Sequence, residues 1–250
     1  MSKSDNSKHL PIRIQPFGQK AIEVAWKEDV SEQILSANLQ LTKALKKKIN
    51  DDWEFISSYN TLTLIYNGVE LFSYKELVEL IRKEYNNLVL TISKRHVKWI
   101  LPVCYDEVYG IDLSEAANFL GLSKNELINL HTEAVYTIYG VGFLPGFMYL
   151  GGLPQTLEIP RKPVPRLKVE KGAVGLASKQ TGIYPQASPG GWNIIGNCPV
   201  PLFNVSKSNP CFFNVGDKVQ FKSISQSEYE HIKIQMDVGI YEPEKVVIDA

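Results

Sequence analysis

Apolar positions in the first hundred or so residues recur with two periods. Short alternating runs at Arg13 to Phe17 and Ala21 to Trp26 predict two strands about a turn at Gly18. Ser31 then precedes a stretch in which Ile34, Leu35, Leu39, Leu45 and Ile49 recur at helical spacing, which predicts an amphipathic helix capped by Ser31. Lys46, Lys47 and Lys48 follow at its end; cations suit the negative pole of a helix, so the run reads as a solvated helix end and not as a binding patch. Trp53 to Ser57 and Thr61 to Tyr66 predict a hairpin, and Ser73 with Glu76 forms an S-x-x-E capping box ahead of Leu77, Leu80, Ile81 and Tyr85. Val97 to Val103 predicts one more strand. The order strand, helix, strand, strand, helix, strand is that of a ferredoxin-like split βαβ domain.

Beyond Tyr105 the texture changes. Two short helices are predicted, Leu113 to Leu120 between an Asp112 cap and a Gly121 stop, and Lys124 to His131 behind a second capping box of Ser123 and Glu126. From Tyr136 onward no helical period is found for about a hundred residues, only short apolar runs broken by Gly and Pro, the pattern of a closed or nearly closed β-barrel. Strands are expected at Val174 to Ala177, Ile194 to Ile195, Pro201 to Asn204 and Lys218 to Ile224, the last after a turn at Val215 to Asp217. The chain is thus read as α+β, with a small α/β domain over residues 1–97 and a barrel over residues 98–250. The uncharged stretch Ala134 to Gln155 has a length that could span a bilayer, but Pro145 with Gly140, Gly142, Gly146, Gly151 and Gly152 leaves a spanning helix with unmade backbone hydrogen bonds. It reads as strand and loop.

Composition narrows the function classes. Lysine plus arginine equals aspartate plus glutamate at 27 each, so no global field holds nucleic acid or an anionic membrane. Three cysteines, Cys104, Cys198 and Cys211, lack C-x-x-C spacing and neighbouring histidines, which argues against zinc and disulfides and for a reducing cytoplasm. The polar opening MSKSDNSKHL has no apolar signal core.

The usual phosphate-loop, dinucleotide, zinc-protease and nucleophile-elbow motifs are absent. What stands out instead is IPRKPVPRLKVEKG, where Arg161 and Arg166 each follow a proline that stiffens the backbone before the guanidinium. Two such forks suit a carboxylate or phosphate, against the alternative of two surface arginines on a loop. His131 in HTEAVY, with Glu133 beside it, has the pKa of a base near neutrality, although a helix-terminal histidine is commonly a cap. Two uncharged segments, GFLPGFMYLGG and TGIYPQASPGGW, combine glycine, proline and aromatics. A barrel core explains only the aromatics; a pocket walled by Tyr184 and Trp192, with Gly190 and Gly191 admitting a ligand to backbone amides, explains all three.

The runs HTEAVYTIYGVGFLPGFMYLGGLP, IPRKPVPRLKVEKGAVGLASKQTGIYPQASPGGWNIIGNCPVPLF and VGDKVQF resemble the allophanate hydrolase subunit 1 family, over nearly the whole chain. That family includes the B-type subunit of the bacterial ATP-dependent 5-oxoprolinase and an inhibitor of a sporulation sensor kinase. The resemblance implies a cyclophilin-like β-barrel over roughly residues 98–250, without implying prolyl isomerase activity. It implies a second cyclophilin-like subunit as partner. In the oxoprolinase it also implies a ring-opening A-type subunit that bears a metal site, with conversion of 5-oxoproline, ATP and water to glutamate, ADP and phosphate.

ATP with magnesium is then expected at a site shared with or supplied by a partner, this chain carrying no metal site. In that chemistry Arg161, Arg166 and Lys168 are expected to supply positive charge and His131 a proton acceptor. Gln180, Tyr184, Ser188 and the amides of Gly190 and Gly191 are expected to orient the substrate beside Trp192. Two alternatives stand beside this expectation: a regulatory protein that inhibits a sensor histidine kinase, and a component of an allophanate or urea-amide hydrolase. The chain departs from the family pattern at Asn197 and Cys198, where GNCP stands for the usual GRTP, and at Val169 to Ala173, where VEKGA stands for VPAGS.

Overall fold

The computed structural model describes residues 10–91 and 95–249, which divide into two compact units, one within residues 1–94 and the other within residues 95–250. In the first, β1 (Arg13–Pro16) and β2 (Ala21–Ala25) form a hairpin about Gly18, whose φ of 69° is one that glycine adopts without strain. They are followed by α1 (Glu32–Leu45), β3 (Trp53–Ser58), β4 (Thr61–Tyr66) and α2 (Tyr74–Asn86). The sheet order is β1-β2-β4-β3, antiparallel throughout, so β4 lies between β2 and β3, the two strands joined by α1. Ile34, Leu41 and Leu45 of α1 and Leu77 and Ile81 of α2 meet Ile22, Val24, Leu62 and Leu64 of the sheet in one core. Of the capping box expected at Ser73 and Glu76, one half forms: the Ser73 hydroxyl accepts from Glu76 N–H at 3.3 Å.

The strand expected to complete this domain, Val97 to Val103, is absent from its sheet. It belongs to the second unit, because its alternate residues Trp99, Leu101 and Val103 are buried in that unit's core, and β1 fills the antiparallel position along β2 instead. The first unit is therefore ββαββα.

The second unit comprises β5 (Arg95–Cys104), α3 (Leu113–Leu120), α4 (Lys124–Glu133), β6 (Val135–Val141), β7 (Met148–Gly151), β8 (Arg166–Val169), β9 (Ala173–Ala177), β10 (Gln180–Ile183), β11 (Ser188–Gly190), β12 (Asn193–Asn197), β13 (Lys218–Ile224), α5 (Gln226–Asp237) and β14 (Glu244–Asp249). Seven of its strands run in the order β6-β13-β5-β12-β9-β10-β7, and β7 pairs back onto β6, so the sheet closes into a barrel. The pairing of β13 with β5 is parallel and the others antiparallel, while β14 adds to the first half of β5 outside the ring. β8 and β11 pair separately as a two-stranded ribbon.

Two apolar clusters explain why the short strands AVGLA and NIIGN are buried along their whole length. Val174, Leu176 and Ile195 point into the barrel with Leu101, Tyr136, Met148 and Phe221. Their neighbours Ala173, Ala177 and Ile194 face outward and pack with Phe147, Tyr184, Trp192 and Val169 of the ribbon. A strand covered on both faces loses the polar alternation of a half-exposed one.

Three features depart from expectation. Helix α5 breaks the long helix-free stretch; its apolar residues are scattered, with Tyr229 buried and Ile234 exposed, so no stripe betrays it. Its readable signal is the capping box Ser225 with Glu228, which is fully formed. Strand β14 is a further element that the sequence pattern does not predict. Pro201 to Asn204 is no strand: Leu202 is buried, but Pro201 has no N–H to give a ladder. Among the described residues no helix is long and apolar enough to cross a membrane, and Ala134 to Gln155 resolves into β6, β7 and a connecting loop.

Candidate functional site

The outward-facing cluster forms the floor of a cavity of about 240 Å³ lined by Phe143, Phe147, Tyr149, Arg161, Pro165, Tyr184, Pro189, Gly190, Gly191 and Trp192. These residues come from three stretches of the chain: the β6–β7 loop with the start of β7, the proline-rich loop before β8, and the segment running through β11. Both uncharged segments singled out in the sequence thus converge on one depression, with the proline-rich loop beside them. Phe147 centres the wall, its ring edge-on to Tyr149, Tyr184 and Trp192 at centroid distances of 4.9, 5.5 and 5.5 Å. Phe143 stands over it, 63% exposed, on a backbone with φ of 67°. That conformation costs a non-glycine residue on the order of 1 kcal/mol or more.

Arg161 is held by its neighbours' backbone. The buried Asn193 side chain donates to Pro160 C=O at 2.9 Å, and Lys162 N–H donates to Gly191 C=O at 2.7 Å, so the peptides on both sides of Arg161 are fixed. Among the described residues the guanidinium itself has no carboxylate partner.

Arg166 is differently placed. One of its terminal nitrogens donates to Asp112, a buried carboxylate that also takes Lys162 Nζ at 3.3 Å and Ile194 N–H at 2.7 Å. Asp112 thereby joins the start of α3, the proline-rich loop, β8 and β12. The sequence reads it only as a helix cap, yet its side chain makes no cap bond. Burial works against the Lys162 charge, but Glu115 at 2.6 Å and Asp112 more than offset it and hold its pKa above the usual lysine range. The other terminal nitrogen of Arg166, Nη1, is buried with no acceptor among the described residues.

Tyr184 and Gly190 explain each other. A Cβ at Gly190 would fall 2.3 Å from the Tyr184 hydroxyl, so glycine is required here by the tyrosine. At Gly191 an added Cβ would meet only ordinary contacts, Lys162 C=O at 3.6 Å being the nearest. Burial raises the Tyr184 pKa; the Trp192 backbone N–H, Arg161 and Arg166 pull it back. Tyr149 is raised by burial too and lowered by Arg161, so both hydroxyls lie in the field of that cation.

The other predicted site residues lie elsewhere. His131 is wholly buried under the barrel: Nδ1 pairs with the Tyr105 hydroxyl at 2.7 Å, Nε2 with Thr181 Oγ1 at 2.9 Å, and the ring stacks on Phe221 at 4.5 Å. Burial drives its pKa down to about 3, which leaves it neutral with both nitrogens engaged. The expectation of a proton acceptor at the ligand site is therefore not met by its position. Lys168 is exposed and pairs with Glu170 at 2.7 Å. Gln180 sits in the β9–β10 pairing opposite Ala177, and Ser188 Oγ donates to Pro189 C=O at 3.2 Å. None of these three lines the cavity. The sequence marks the segments of Phe143, Phe147 and Tyr149 but does not single out those residues as walls, and it gives Asn193 and Asp112 no place at the site.

The two departures from the family pattern meet in space. Asn197 Nδ2 donates to Lys171 C=O at 3.0 Å, Cys198 N–H to Gly172 C=O at 2.8 Å, and the Tyr229 hydroxyl of α5 donates to Asn197 Oδ1 at 3.0 Å. Both residues are buried, with the Cys198 thiol pushed up to about 12 by that burial, so here they fasten a turn and do not face the cavity. A larger cavity of about 450 Å³ lies among β5, β13, α5 and β14, lined by Lys222, Glu228, His231, Tyr241 and Glu244 among others, and contains none of the motif residues. Among the described residues no three metal-ligating side chains gather.

Comparison with known proteins places this architecture. Residues 12–213 match the family model described as carboxyltransferase domain, subdomain C and D. The chain is 32% identical over 233 residues to the B-type subunit of 5-oxoprolinase from Bacillus subtilis, covering 88% of this chain and 96% of that one. It is 39% identical over 211 residues to the B-type subunit of 5-oxoprolinase from Haemophilus influenzae, covering 84% and 97%. The crystal structure of TTHA0988 superposes with a TM-score of 0.72 at 33% identity over 82% of this chain, which spans 40% of that longer one. The matched motifs, the closed barrel and near end-to-end alignment with both relatives agree: the chain belongs to the allophanate hydrolase subunit 1 family, built on the carboxyltransferase C and D subdomains.

Proposed function

We propose that this chain is the B-type subunit of an ATP-dependent 5-oxoprolinase, acting in the cytoplasm with a second cyclophilin-like subunit and a ring-opening subunit. The observation that carries this reading is the cavity: an anchored, unpaired arginine set among five aromatic rings, on the segments by which the chain resembles its relatives. The two relatives that bear the 5-oxoprolinase name support it.

The reaction sets the requirements. A lactam carbonyl is a weak electrophile; transfer of a phosphoryl group from ATP to its oxygen activates the carbon, one water adds there and the ring C–N bond breaks to give an acyl phosphate, and a second water displaces its phosphate, yielding glutamate, ADP and phosphate. The enzyme must hold the acid, exclude competing water and stabilise charge on oxygen. This chain offers an aromatic enclosure and a fixed cation for the first two tasks. It offers no carboxylate set at the cavity to hold magnesium, which the partners would supply.

Mixing the purified chain with both partner subunits, and following ADP release with and without 5-oxoproline, tests the proposal. The expected result is 5-oxoproline-dependent release from the full mixture and none from the lone chain. Robust turnover by the lone chain would refute the shared site. Silence of every mixture, together with tight binding to a histidine-kinase dimerisation domain, would refute the enzymatic reading in favour of the regulatory one.

A further inference from the structure

The charges around the cavity can be counted, because each cation nearby is either paired or not. Lys162 and Arg166 carry two positive charges and are matched by Glu115 and Asp112. Lys168, outside the cavity, is matched by Glu170. Of these cations near the cavity Arg161 is the one with no carboxylate partner among the described residues, and no aspartate or glutamate lines the cavity. The walls are therefore apolar and aromatic with a net charge of one.

From this balance we infer that the cavity binds a compact monocarboxylate, with its carboxylate on Arg161 and its apolar body against Phe147, Tyr149 and Trp192, and that it does not bind the nucleotide. A triphosphate brings about four negative charges, which proteins meet with several cations or with a metal held by carboxylates; neither is present at this wall. A single carboxylate is matched by a single guanidinium fork. The cavity volume of about 240 Å³ points the same way, lying below the usual range of about 300–1,000 Å³ for drug-sized ligands.

One further feature fits a ligand here. Phe143, a lining residue 63% exposed on a disfavoured backbone, has an aromatic face for the ligand to cover. The inference rests on taking this cavity as the substrate pocket of the proposed reaction, and it divides the labour: the acid binds on this chain and the nucleotide elsewhere in the complex.

The test is a titration of the full chain followed at the Trp192 indole in proton–nitrogen correlation spectra. The probes are a set of small monocarboxylates that includes 5-oxoproline, the neutral lactam pyrrolidin-2-one, and ATP with magnesium. At least one acid is expected to shift the Trp192 signal saturably, with pyrrolidin-2-one and Mg-ATP leaving it in place and Mg-ATP failing to displace the acid. Arg161→Gln is expected to weaken the acid by about tenfold or more, with Arg161→Lys recovering part of the loss. The spectra of both variants report their folding directly. Saturable, Arg161-dependent binding of Mg-ATP at Trp192 would overturn the inference, and so would indifference of the indole to every acid. Binding of another acid but not of 5-oxoproline would uphold the ligand class while refuting the proposed substrate, so the two failures are distinguishable.

Discussion

At the scale of residues, two side chains with similar sequence credentials end in opposite roles. Arg161 and Arg166 both follow proline in one loop, yet only Arg161 reaches the cavity unpaired; Arg166 is committed to Asp112, 54 residues away. A partner so distant leaves no trace in local spacing. His131 shows the same limit from the other side, since a histidine at a helix end reads as a base or cap and becomes a neutral core residue only because Tyr105, Thr181 and Phe221 close around it. Its lowered pKa carries a sign. The folded state keeps His131 unprotonated down to about 3, whereas the unfolded chain takes up a proton below about 6.5, so its contribution is complete above that value and is lost as the pH falls towards 3. Urea unfolding at pH 7 and pH 5 should show a loss on the order of 1–2 kcal/mol that is reduced in His131→Gln. An equal loss in the variant would assign the pH dependence to other groups.

Among elements, the helices of the first unit are legible because one face is buried and the other wet, as in α2, where Leu77, Ile81 and Tyr85 recur at helical spacing. Capping boxes mark starts with comparable fidelity, and their geometry separates helices that look alike in sequence. Ser123 accepts from Glu126 N–H at 3.2 Å while Glu126 accepts from Ser123 N–H at 2.8 Å, whereas Ser31 makes no side-chain cap bond. Ser123→Ala is accordingly expected to lower unfolding free energy by about 1 kcal/mol and Ser31→Ala by only a few tenths. Equal losses measured by denaturant titration would show that the reciprocal bond contributes nothing. The strands of the barrel are less legible: β9 and β12 carry no alternation because both faces are covered, and β8 and β11 are short and interrupted by proline and a bulge.

For the whole molecule, the change from helical to strand-like texture near residue 98 is readable in the sequence, and contacts divide the structure between residues 94 and 95. We expect residues 95–250, expressed alone, to unfold in a single cooperative transition, since the barrel closes within that span and each strand of the ring has its two ring neighbours there. Failure of this fragment to show a transition, while the full chain does, would place the folding boundary elsewhere. By itself the sequence determined the α+β class, most helices, the family, and the segments that build the pocket, because periodicity, caps and motif words are local properties of the chain. Two readings of β5, as the last strand of the first domain and as part of the barrel over residues 98–250, were separated only by the tertiary structure, in which its buried face finds Phe221 and Val219; that structure alone also decided that α5 folds on a side bearing no apolar stripe. It also decided which of two similar arginines stays free and that His131 is packed away, because pairing and burial depend on residues brought together by the closed sheet from positions distant in the chain.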